Sequence, residues 1–82
     1  MNQKISCKIL FYDKEVLNED CDMIVLPGEL GDLGVLFGHV PMIVAIKQGK
    51  IRTYIGGVTN DYEVAGGIAK ITGDSCIVIA DR

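Results

Sequence analysis

The chain has no tryptophan and a single histidine, and its aromatic residues amount to only 6% of 82 positions. A catalytic relay or an imidazole-based metal centre would have to be assembled around His39 alone, with an identifiable nucleophile or further ligands beside it. Positive charge is also scarce: eight Lys and Arg against eleven Asp and Glu give a formal charge of −3. Lys47, Lys50 and Arg52 are the only local concentration, too few for the basic stripe that nucleic acid demands. No apolar run approaches the roughly 20 residues of a bilayer-spanning helix. The start, "MNQKISCKILFYDKE", has too short and interrupted an apolar stretch to read as a signal peptide. Cysteines are three, Cys7, Cys21 and Cys76, an odd number at wide spacing. That pattern predicts reduced, core-packed thiols of a cytosolic protein and no disulfide framework.

What is present is a strongly apolar chain, 49% hydrophobic against 23% charged, which argues for a folded module. Residues 1–82 read as one domain, and a domain of this size buries only about 60–65% of its unfolded surface, so its core is thin. Period two dominates. In "ISCKILFY", Ile5, Cys7, Ile9 and Phe11 alternate with the other positions, the pattern of a strand with one buried face. Further strand candidates are residues 21–26, 34–37, 42–46, 50–55, 61–65, 67–72 and 76–80, and nothing reads as a long helix. Gly56-Gly57, Gly66-Gly67 and Gly73-Asp74 fall between them, where hairpin turns belong. The expectation is an all-β domain, an antiparallel β-sandwich or flattened barrel of about eight to ten short strands.

Chemistry is harder to place. Gly28, Gly31 and Gly34 recur at a spacing of three, but a phosphate loop needs a helix N-terminus directly after its glycines, and a strand is expected here. The glycines, with Gly38, read instead as structural positions of a tight loop with Asp32 at its tip. Glu19, Asp20 and Asp22, then Glu29 and Asp32, lack the alternating oxygen ligands of a calcium loop and read as a solvated rim. No metal site and no cofactor is expected. A lipoyl or biotinyl carrier domain is also acidic, all-β and of this length, but Lys47 in "AIKQG" and Lys70 in "IAKIT" lack the carrier context. That reading stands as the alternative.

The stretch "PGELGDLGVLFGHVPMIVAIKQGKIR", residues 27–52, resembles the signature of the epsilon subunit of F-type proton-translocating ATP synthases. Its pattern is Pro-Gly-x-x-Gly-x-x-Gly, then Gly-His-x-Pro, an apolar strand, a Gly turn and a strand carrying Arg. "VAGGIAKITGDSCIVIAD", residues 64–81, resembles the family's later segment. Phe37 stands where a proline commonly precedes the Gly-His pair. The resemblance implies a β-sandwich and a non-catalytic central-stalk rotor component that docks on the gamma subunit and on the polar loops of the c-ring. It would reach the catalytic alpha/beta head only indirectly. His39, Pro41 and Val44 match positions facing gamma; Asp32, with Glu29 and Leu33, matches the acidic region facing the c-ring. The implied location is peripheral, on the cytoplasmic face of a bacterial inner membrane. Family members continue into a helical hairpin able to inhibit hydrolysis, and that role is not assigned to these residues.

Overall fold

Alternation sets the first strand. In β1 (Ile5–Phe11), Ile5, Cys7, Ile9 and Phe11 are buried while Ser6 is exposed, one face on the core and one off it. The computed structural model describes residues 3–82, so positions 1 and 2 of the expected 1–82 domain lie outside the described part. It continues with β2 (Lys14–Cys21), β3 (Met23–Gly28), β4 (Gly31–Val35), β5 (Met42–Ile46), β6 (Gly49–Ile55), β7 (Val58–Val64), β8 (Gly66–Ile71) and β9 (Ser75–Asp81). Every element among the described residues is a strand, and none is a helix long and apolar enough to cross a membrane.

The strands form a single curled sheet in the order β2-β1-β9-β8-β5-β3-β6-β7, with β4 paired to β3. A single bridge, Gly28↔Ile46, joins β3 to β5. Directly after it the Lys47 N–H donates to the Pro27 carbonyl at 2.9 Å, and the chain resumes as β6 along the same strand. The sheet turns a corner there. Its two arms, β2-β1-β9-β8-β5 and β4-β3-β6-β7, enclose one core that runs from Ile5, Ile9 and Val78 to Ile24, Leu26 and Ile51. This is the predicted β-sandwich class with one difference: β1 and β9 run parallel, Cys7 beside Cys76. Parallel neighbours need a long crossover, and here the whole of the intervening domain supplies it.

β2 falls outside the sequence-based strand list. Only Leu17 and Cys21 are buried along it, because it is an edge strand with a register irregularity opposite Ile9 and Leu10. An edge strand with one sparse apolar contact per turn of pleat carries little alternation to detect. Glu19 and Asp20 accordingly lie within this strand, opposite Cys7 and Ser6, and do not mark a strand end.

Cys7, Cys21 and Cys76 are buried and free. Burial pushes all three thiols above their ordinary range, Cys76 to about 12, so they pack as small apolar groups. One buried polar atom lacks a partner among the described residues: the Thr53 hydroxyl on β6. Tight seams require glycine. A Cβ on Gly67 would lie 2.7 Å from the Ala80 Cα and still closer to the Ile79 carbonyl oxygen, which is how β8 can press against β9.

Candidate functional site

The expected glycine loop is a β-hairpin. Pro27 faces Asp32 and Gly28 faces Gly31, so only Glu29 and Leu30 form the turn. Asp32 is therefore not at the tip but on β4, exposed, and the tip belongs to Glu29 and Leu30. Pro27 fits inside β3 because its carbonyl, not a missing N–H, makes the bond to Lys47. At Gly28 an added Cβ would lie 2.9 Å from the Gly31 carbonyl oxygen and 3.6 Å from Val44 Cγ1. The hairpin can close at Gly28 and Gly31 only because no side chain intervenes there.

Between hairpin and β5 runs an open groove of about 430 Å³, lined by Gly28 to Leu33 and Met42 to Ala45. It brings together Gly28, Glu29, Gly31, Asp32, Leu33 and Val44. Leu33 and Val44 are half-buried and pack on the core edge, so they form its apolar floor, while Glu29 and Asp32 are exposed on its rim. His39 and Pro41 do not line the groove. They lie in the connection between β4 and β5, where Gly38 N–H donates to the Gly73 carbonyl at 2.6 Å and His39 N–H to the Leu36 carbonyl at 3.1 Å. His39 Nδ1 is 2.8 Å from the Val40 carbonyl oxygen. A carbonyl only accepts, so Nδ1 carries the proton, and Nε2 has no hydrogen-bond partner among the described residues. Gly34 lies on β4 opposite Val25.

Sequence reasoning missed an apolar outer surface. On the outer face of β5, β8 and β9, the exposed residues Ala45, Ile68 and Ile79 share one row of the register, and Ile43, Lys70 and Ile77 the next. Ile43 is 68% exposed. The signal was in "CIVIA" and "MIVAI", where both phases of the alternation are apolar and only one can face the core. Contiguous exposed aliphatic surface of this kind marks an interaction site. Lys70 lies mid-strand within it, not at a hairpin tip.

Elsewhere the surface is charged. Arg52 on β6 holds Asp61 on β7 through Nε–Oδ1 at 2.7 Å and Nη2–Oδ2 at 3.1 Å, and the guanidinium keeps the Asp61 carboxyl below its usual range. Among the described residues no cluster of three or more His, Cys, Asp or Glu side chains is placed to hold a metal ion.

A rigid hairpin, a groove and an apolar sheet face make surfaces for contact. Residues 4–82 match the family model described as ATP synthase, Delta/Epsilon chain, beta-sandwich domain. The chain belongs to that family. It is 47% identical over 78 residues to the ATP synthase epsilon chain of Granulibacter bethesdensis, covering 94% of this chain and 58% of the relative. It is 41% identical over 76 residues to the ATP synthase epsilon chain of Rickettsia bellii, covering 89% and 70%. The family match thus spans little more than half the length of the Granulibacter chain. The fold superposes with a TM-score of 0.91 at 22% identity on a chain of the Euglena gracilis mitochondrial ATP synthase in a structure of OSCP, F1 and c-ring, covering 96% of this chain and 51% of that one. A chain of the Tetrahymena thermophila mitochondrial ATP synthase central stalk and c-ring gives 0.81 at 17% identity, covering 99% and 66%.

Proposed function

We propose that this chain is the sandwich part of a non-catalytic rotor subunit in a rotary ATP synthase, docking on gamma and on the c-ring so that proton-driven rotation reaches the catalytic alpha/beta head. The observation that carries the reading is the unpartnered apolar face of β5, β8 and β9 next to the hairpin groove. Gamma would meet His39 and Pro41 in the β4–β5 connection and Ile43 on the outer face of β5, with Val44 reached from the groove side of the same strand. The c-ring loops would meet the hairpin end, with Glu29 and Asp32 offered to the loops and Leu33 supporting them from the groove floor. Gly28, Gly31, Gly34 and Gly38 would hold the backbone of this region in shape. Fixed backbone loses little ordering entropy on docking, which suits a contact that transmits torque. The location that follows is peripheral, on the cytoplasmic side of a bacterial inner membrane.

The test is a titration with purified gamma subunit. A saturable complex weakened by His39→Glu and by Val44→Glu is expected. Absence of a complex, or one indifferent to both substitutions, overturns the gamma assignment.

A further inference from the structure

We infer that Leu30 is the anchor by which the hairpin grips its partner on the ring side, entering an apolar hollow that has a cationic side chain at its edge. The inference rests on the docking reading above and names a residue that reading lacks. Leu30 is fully exposed, at 105% of its reference area, and occupies half of the turn between Gly28 and Gly31. Turns of this length favour Gly, Asn or Asp; a leucine gains nothing there from turn chemistry and touches no core. A single exposed leucine on a flat surface would be unremarkable. This one stands at the end of a stiff projection, with buried Pro27 and close-packed Gly28 immediately behind it, so its position is set before binding and little entropy is lost in using it.

The neighbours specify the partner's chemistry. Glu29 adjoins Leu30, and Asp32 stands on the following strand, both exposed, and neither is in an ion pair among the described residues. An apolar tip bracketed by two free carboxylates complements a hollow bordered by Lys or Arg. Leu33 cannot serve as this anchor because it is half-buried against the core.

The experiment uses the assembled complex. F1 carrying Leu30→Asp, Leu30→Ala or Leu30→Met is rebound to F1-stripped membranes that retain the c-ring, and retention of the chain on F1 is measured separately. Retention on F1 is expected to be unchanged in all three. Affinity for the membranes should fall about tenfold or more for Leu30→Asp, several-fold for Leu30→Ala, and stay near wild type for Leu30→Met. Leu30→Asp that rebinds like wild type overturns the anchor and leaves the gamma contact standing. A wild-type chain that is not retained on F1 overturns the rotor reading and the anchor with it. Thermal melting of each variant checks the fold, and an unchanged melt with lost rebinding supports the anchor.

Discussion

The two outer faces of the folded sheet differ in kind. Over β5, β8 and β9 the outward residues are aliphatic apart from Lys70, with Ala45, Ile68 and Ile79 aligned across three strands. Over β6 and β7 they are polar: Arg52 clasps Asp61, and Lys50 stands opposite Glu63 in the register. A polar, charged face is satisfied by water and gains little from a partner. An aliphatic face is left incomplete until another protein covers it. The same small sandwich therefore carries one polar outer side and one aliphatic outer side, and the hairpin with Leu30 projects beside the second.

The largest effect should come from the seam that keeps the docking face flat. Gly67→Ala inserts a methyl group against the Ile79 carbonyl and the Ala80 backbone, and β8 must lift from β9 to admit it. A loss of about 2–4 kcal/mol is expected, read as a lower urea midpoint. An unchanged midpoint would mean that the seam relaxes freely and does not shape the face.

Next in size is a direct comparison of the faces. Ile79→Asp on the apolar side should weaken gamma binding about tenfold or more, whereas Thr59→Asp on the polar side should leave it within about twofold. Equal effects would erase the distinction. Beneath the polar side, Thr53→Val replaces an unpartnered buried hydroxyl by a methyl of the same shape. It should stabilise the fold by about 1 kcal/mol, measured as a raised midpoint with gamma binding intact. A destabilised variant would point to a hydrogen bond from Thr53 to bound water.

How far these contrasts could be read from sequence depends on the element. β1 and β9 were legible because each has an alternating buried set, Ile5 to Phe11 and Cys76 to Ala80. The burial of all three cysteines followed from the same apolar neighbourhoods. β2 was not, since an edge strand with two buried residues looks like solvated chain. The parallel contact between β1 and β9 was hidden because alternation reports which face is buried and says nothing of which distant strand lies alongside. Asp32 was misplaced by the length of a turn: Pro27 and the glycines suggested a long loop, and only cross-strand pairing shows that β3 extends through them. The apolar outer face was written in the sequence, but reading it required knowing which phase of each strand the core had already taken.

The smallest effect concerns the carboxylate that ties the two arms together. Asp22 accepts a hydrogen bond from the Gly56 N–H at 2.8 Å, in the turn between β6 and β7, and another from Lys4, which precedes β1. Lys4 first and Gly56 second hold its carboxyl below the usual range. A folded-state pKa below the unfolded one means the contribution is fully present above the unfolded value, about 4 for aspartate. It is lost as pH falls through the folded value. Asp22→Asn should therefore be less stable than wild type at pH 6, and the gap should narrow steadily below about pH 4 until the two coincide. Urea unfolding of both proteins across that range measures it. The exposed setting of the pair, with Lys4 and Asp22 side chains 45% and 40% accessible, keeps the effect modest and makes it sensitive to salt. A gap that persists unchanged into acid would show that Asp22 acts through the hydrogen bond that shapes its turn and not through charge.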